Sequence, residues 1–315
     1  MIRTTPGGRH ALAFAFLATS LAACAPRVAS PSPREPLGAP IEAVDPAPLL
    51  GDVAVLAADS MEGRRAGSPG GAMARAYLES RIRALGLQPD SQPFTFEGRD
   101  SATVQGVNLV VRIPGTSPAA RAIVVTAHYD HVGVRNGEVY NGADDNASGT
   151  AALLAIAAAL RDRPLRHTAI LVWLDAEEMG LRGARAFLDS PPLPVDSIAL
   201  NVNLDMVSRS DAGELHVAGT HHYPALLPVI ERVAARAPVT LIPGHDRPGT
   251  GRDDWTMQSD HGVFHQASIP FLYFGVEDHP DYHRPTDDFG NIDSDFFVAA
   301  VETVLLALRE VDVGM

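Results

Sequence analysis

Four short apolar runs constrain this chain more than any other feature. Residues 122–127, 169–174, 198–204 and 269–274 are almost free of charge and rich in β-branched and aromatic side chains. The runs at 122–127 and 169–174, without a polar face, read as strands buried on both sides, as in a parallel sheet, and the other two as further strands. Helical segments separate them: 148–160 is nearly all Ala and Leu, and 181–188, 224–235 and 295–309 follow later. Upstream, 52–58 reads as a short helix and 72–85 as an amphipathic one stopped by Gly86. Residues 94–96, 104–113 and 215–218 complete the expected strands, with a turn at Pro114-Gly115. The alternation predicts an α/β fold, a three-layer sandwich with a mostly parallel mixed sheet and helices on both faces. There is no internal repeat and no sign of a second domain.

Ligands in such sheets bind beyond the carboxyl ends of the strands, and chemistry-bearing residues gather there. His128-Tyr129-Asp130 follows the first run and Asp175-Ala176-Glu177-Glu178 the second. Asn203-Leu204-Asp205 ends the third, and Tyr282-His283-Arg284 lies in the loop past the fourth. Gly142-Ala143-Asp144-Asp145-Asn146 opens the Ala-rich helix.

His128 and Asp130 are two apart, so on an extended backbone they point the same way. An imidazole ligand needs a partner that fixes its tautomer, and Asp130 is placed to be one; a satisfied polar strand end is the plainer alternative. Acids at 144–145 are often only helix caps. Here Gly142 and Gly149 on either side suggest a backbone held in an unusual shape, as when one carboxylate must reach two cations. Glu177 and Glu178 would repel each other unless a cation sits nearby. One would then be a ligand and the other a general base that takes a proton from water and passes it to a leaving amine. Asp205 follows Asn201 and Asn203, polar residues alternating within a buried strand. The loop 278–288 is too polar for core and offers His279 as well as His283. His131, His167, His216, His221, His222, His245, His261 and His265 read as surface or supporting residues.

The N-terminus speaks to location. Arg3, Arg9 and His10 precede an apolar stretch at 11–17 that ends in Leu21-Ala22-Ala23-Cys24. About 20 apolar residues are needed to cross a bilayer, so this is a secretory signal rather than a span. Cys24 is the only cysteine, so the fold contains no disulfide. Its position resembles the bacterial lipoprotein signal, in which the Cys becomes the lipidated first residue; an ordinary signal with Cys24 incidental is the alternative. Pro26, Pro31, Pro33, Pro36, Pro40, Pro46 and Pro48 mark an extended tether. The expected organisation is a signal peptide at 1–23, a disordered Pro-rich tether at 24–44 and a single folded domain at 45–315. The protein would be exported and held by a lipid at Cys24 on the periplasmic side of a bacterial membrane. A net charge of −13 with no basic block past the N-terminus excludes a nucleic-acid partner, whose phosphates would be repelled.

The chain has no H-E-x-x-H, no G-x-S-x-G and no Gly-rich phosphate loop. Carboxylates with a few imidazoles suit zinc, or manganese or cobalt. The ordered motif set resembles the co-catalytic di-zinc exopeptidases of the bacterial leucine aminopeptidase type, whose relatives include glutamate carboxypeptidase and glutaminyl cyclase. The likeness runs from Asp59-Ser60-Met61-Glu62-Gly63-Arg64 to the final helix. It implies two Zn2+ ions, one held by His128 and Asp205, the other by Glu178 and His283, with Asp145 bridging both. Glu177 would be the general base and Asp130 the residue orienting His128. It further implies a cis peptide at Asp145–Asn146 and a supporting, non-ligating role for Ser259-Asp260-His261. Tyr273, Tyr282 or Tyr223 would donate to the oxyanion. The substrate's free amine would be held by a zinc and nearby carboxylates, making the protein an aminopeptidase acting on peptides. Gly86 and Val107 lie too close together to hold the family's insertion domain, which favours a compact exopeptidase. Rival readings are a one-zinc glutaminyl cyclase, a deacylase of small N-acyl amino acids, and a non-catalytic binding ectodomain.

Overall fold

The computed structural model describes residues 1–2, 40–98, 101–117 and 121–314. The signal segment, Cys24 and the tether as far as residue 39 lie outside the described residues. Helix α1 (Pro46–Leu56) starts where the Asp45 side chain accepts the Ala47 amide, with Pro46 in its first turn. Helix α2 (Pro69–Ala84) starts the same way, with Ser68 accepting from Gly71. It stops before Gly86, whose φ of 76° only glycine adopts without cost.

The antiparallel pair β1 (Asp90–Glu97) and β2 (Thr103–Ile113) comes next. It leads to β3 (Ala122–His128) and a small hairpin, β4 (Gly133–Arg135) and β5 (Glu138–Tyr140). Helix α3 (Gly149–Asp162), β6 (Thr168–Leu174), α4 (Arg182–Asp189), β7 (Ile198–Leu204) and β8 (Glu214–Ala218) follow. The chain then forms α5 (Leu227–Ala234), β9 (Thr240–Pro243), α6 (His261–Gln266), β10 (Phe271–Gly275) and α7 (Ser294–Gly314).

Eight strands make one mixed sheet in the order β1-β2-β6-β3-β7-β10-β8-β9. Its centre, β6-β3-β7-β10, is parallel throughout, and β1, β2 and β8 supply the antiparallel joins. The runs at 122–127 and 169–174 therefore behave as expected, each buried on two faces. Along β3 and β6, Ile123, Val125, Ala127, Leu171 and Trp173 pack into the larger core under α1, α2, α3, α5 and α7. Ala122, Val124, Ile170, Val172 and Leu174 point the other way, into a smaller core containing Ala184 and Phe187 of α4 and Phe264 of α6. The described residues from 40 onward form one compact unit. Among the described residues, no helix is long and apolar enough to cross a membrane.

Four elements were not anticipated: β4, β5, β9 and α6. The β4–β5 turn has Asn136 at φ 54° and Gly137 at φ 83°, the left-handed pair of a type I′ hairpin. That Asn-Gly signal was present in the sequence. Strand β9 and helix α6 are short, and their existence depends on β8 and the smaller core rather than on a local pattern. Helix α1 begins earlier than residue 52 because Asp45 and Pro46 supply a start signal upstream of the apolar residues.

Candidate metal centre

Parallel strands end on the same side, so the loops after β3, β6, β7 and β10 converge. His128 is the last residue of β3 and Asp205 follows β7. Glu177 and Glu178 lie past the end of β6, and His283 lies between β10 and α7. Asp145 arrives from the turn that opens α3. That turn is tight: a Cβ at Gly142, whose φ is 57°, would sit 2.1 Å from the Asp145 carbonyl oxygen. A Cβ at Gly149 would sit 2.3 Å from the Asn146 side-chain oxygen. The Asp145–Asn146 peptide is cis.

Asp145 turns one carboxylate oxygen to each side. Its Oδ1 is 3.5 Å from Nε2 of His128, which also lies 3.2 Å from Oδ1 of Asp205. Its Oδ2 is 3.0 Å from Nε2 of His283 and 3.6 Å from Nδ1 of His131. Oε1 of Glu178 lies 3.1 Å from His283 and 2.8 Å from His131. Two donor groups result, His128–Asp145–Asp205 and His131–Asp145–Glu178–His283, each with its ligand atoms within 4.8 Å of one another. All five expected ligands are brought together.

His131 joins the second group, although the sequence placed it only among supporting residues. It is fully buried. Its Nδ1, which faces Asp145 and Glu178, and Oε1 of Glu178 both lack an aligned hydrogen-bond partner, as expected of atoms aimed at a common point between them. The signal that could have found it was its place one residue beyond His128-Tyr129-Asp130.

The electrostatics point the same way. Burial opposes ionisation of Glu178, yet the imidazoles of His131 and His283 hold its carboxyl well below the usual range. Burial opposes the charged form of His283, but Asp145 and Glu178 outweigh it and lift the ring to about 10. His128 is likewise raised against burial by Asp205, Glu177 and Asp145. Asp145, Glu178, Asp205 and Glu177 thus demand positive charge, which protons supply here and divalent cations would supply better. Orphaned imidazole and carboxylate atoms at these separations fit zinc.

Glu177 lines the same cavity. Burial pushes its carboxyl well up; His128 opposes this, while Asp260, Asp205 and Glu178 push it further. Asp130 touches two members of the site. Its carbonyl oxygen is 3.1 Å from Nδ1 of His128. Its carboxylate, 3.7 Å from that nitrogen, accepts the Glu177 amide at 2.9 Å. Ser259 accepts from Asn203, whose side-chain oxygen accepts from Thr126, so the polar positions of β7 are paired across the sheet. His279 turns to Asp144, 3.1 Å away, rather than into the site.

Beneath the Asp145 turn lies Arg64, from the Asp59–Arg64 segment. Its guanidinium donates to the carbonyls of Tyr129, Leu56, Asn141 and Gly142. Burial lowers its pKa to about 10 despite Asp145 and Asp287, so it stays charged at neutral pH.

The cavity over the centre measures about 580 Å³ and is walled by Phe96, Met179, Leu181, Trp255, Met257 and Tyr282. Tyr273 and Tyr282 face it. Tyr223 does not: its hydroxyl is spent on His265 and the Ile269 carbonyl.

Residues 108–308 match the profile of Peptidase family M28. The chain belongs to this family. Among curated members, it is 30% identical to Aminopeptidase YwaD of Bacillus subtilis over 201 residues, 60% of this chain and 40% of that protein. It is 27% identical to the Probable lipoprotein aminopeptidase LpqL of Mycobacterium tuberculosis over 282 residues, 79% of this chain and 55% of that protein. The M28 chain thus spans about half the length of the curated relatives it matches. Its fold is shared with BSAP, a zinc aminopeptidase from Bacillus subtilis, at TM-score 0.70 and 18% identity, covering 85% of this chain and 95% of that one. It is shared equally with the glutaminyl cyclase of Porphyromonas gingivalis, at TM-score 0.72 and 20% identity over 85% and 99%.

Proposed function

We propose that this M28 chain is a zinc-dependent aminopeptidase that removes N-terminal residues from peptides. The observation that carries this is the Asp145 carboxylate, one oxygen facing His128 and Asp205, the other His131, Glu178 and His283. That arrangement suits two ions, with His128 and Asp205 on one, Glu178 and His283 on the other and Asp145 between them. When bound, the zinc ions supply Lewis-acid activation of the scissile carbonyl and of the attacking water.

The chain's own residues do the rest. Glu177 takes a proton from the water as its oxygen adds to the carbonyl carbon, then gives it to the leaving nitrogen as the C–N bond breaks. Asp130 positions both His128, through its carbonyl, and Glu177, through the amide it accepts. Tyr273 or Tyr282 donates to the oxyanion. The carboxylates around Asp145 hold the substrate's ammonium, and Phe96, Trp255, Met257 and Tyr282 receive an apolar side chain. The relative LpqL carries a lipoprotein name. That supports reading residues 1–23 as a signal peptide, 24–44 as a tether and 45–315 as the domain, exported and lipid-anchored through Cys24 at the periplasmic face.

Metal analysis combined with a panel of amino-acid anilides and N-terminal glutamine peptides tests the proposal. Two zinc ions per chain, anilide hydrolysis and its loss on chelation are expected. Cyclisation of glutamine peptides with one bound zinc and no anilide hydrolysis would overturn it.

A further inference from the structure

A second group of imidazoles and carboxylates lies outside the centre just described. His216 is in β8, His245 follows β9 and Glu277 follows β10. Nε2 of His245 is 3.1 Å from Nδ1 of His216 and 3.2 Å from Oε1 of Glu277. The three residues offer ligand atoms within 4.8 Å of one another. Atoms bound to one tetrahedral zinc at about 2.0–2.1 Å are separated by roughly 3.3 Å, so these spacings suit a common ion.

The surroundings suit one too. Nδ1 of His245 lies 2.8 Å from Oδ1 of Asp253, out of hydrogen-bond alignment, so this carboxylate contributes negative charge beside the ring. Neither Asp253 nor Glu277 pairs with a lysine or arginine among the described residues. His245 is held at φ 56°, a conformation that costs a non-glycine residue free energy. Its carbonyl accepts the Trp255 amide at 2.7 Å, and its ring stacks on Trp255 at 3.7 Å.

We propose that His216, His245 and Glu277 form a third cation site for a divalent zinc-like ion. The ion ties together β8, the loop after β9 and the exit of β10. Through Trp255, which walls the catalytic cavity, occupancy fixes the shape of the substrate pocket. This site is independent of the aminopeptidase reading.

Trp255 supplies the probe, since it and Trp173 are the only tryptophans. The purified chain, first loaded with zinc at the main centre, is titrated with Cu2+ or Ni2+ while tryptophan fluorescence is followed. Saturable quenching by one further equivalent is expected, with equilibrium dialysis showing a third zinc. Glu277→Gln, which removes the ligand charge at an exposed position, should weaken that binding at least about tenfold and leave two zinc ions bound. His216→Asn should act likewise. Absence of saturable quenching, or an unchanged titration in Glu277→Gln, would show that the histidines only hydrogen-bond to each other. Neither readout requires hydrolysis, so failure of this site and failure of the peptidase reading are separate results.

Discussion

The carboxylate of Asp287 accepts the backbone amides of both Asp144 and Asp145, at 3.0 and 3.1 Å. A residue from the loop before α7 thereby sets the turn that presents the Asp145 carboxylate. Burial raises the Asp287 carboxyl to about 6. Removing the acceptor with Asp287→Ala leaves two buried N–H groups unpaired, a cost of about 1–3 kcal/mol each. Asp287→Asn keeps one acceptor but turns its NH2 toward the other amide. It should fold with zinc affinity lowered about 10–100-fold. Competitive chelator titration measures this, and unchanged affinity would show that Asp145 needs no such support.

Glu177 lines the cavity but belongs to neither donor group. Glu177→Gln should therefore keep its zinc content and lose about 10²–10⁴-fold in kcat. Metal analysis alongside anilide kinetics separates the two effects. Wild-type turnover in this variant would reassign the base.

His131 lies 2.8 Å from Glu178 on the His283 side of Asp145. His131→Asn should weaken one of two zinc ions about 10–100-fold and spare the one near His128. Stepwise chelation resolves the two. Equal weakening of both ions would mean that His131 acts on Asp145 as a whole.

His261 is buried, donates from Nε2 to the Trp255 carbonyl and packs against Phe271 and Tyr273. Burial lowers its pKa from 6.5 to about 4, so the folded protein keeps it neutral. Below pH 6.5 the unfolded chain binds a proton that the folded chain does not, so His261 erodes stability as pH falls toward 4. The full effect is about 3 kcal/mol. Asp260, raised to about 7 mainly by burial, acts in the opposite sense as pH rises. The stability difference between wild type and His261→Phe isolates the histidine. That difference should shift in favour of the variant between pH 6.5 and 4 in denaturant titrations. A constant difference across that range would mean the histidine does not titrate on unfolding.

Much of this was legible in the chain. The runs at 122–127 and 169–174 announced two-sided strands because no polar face interrupts them, and β3 and β6 do divide their side chains between two cores. Parallel strands end together, so motifs past all four of those runs had to meet. The Asn136-Gly137 hairpin was equally legible and went unread. The directions taken by His131 and His279 were not legible in the same way. Each lies beside a ligand motif, and nothing local says that one turns toward Glu178 and the other toward Asp144.

Residue order alone determined the layered α/β fold, because strand and helix periods are local and each buries a definite face. It also marked five segments of candidate ligands, four of them past those strands and one opening α3. Tertiary structure decided which atoms converge to within 3–4 Å. That depends on loop directions set by contacts between distant residues, such as Arg64 with the carbonyls of Tyr129 and Gly142 and Asp287 with the amide of Asp145. Hydrogen bonds of that range follow from the packed fold, and no sequence period encodes them.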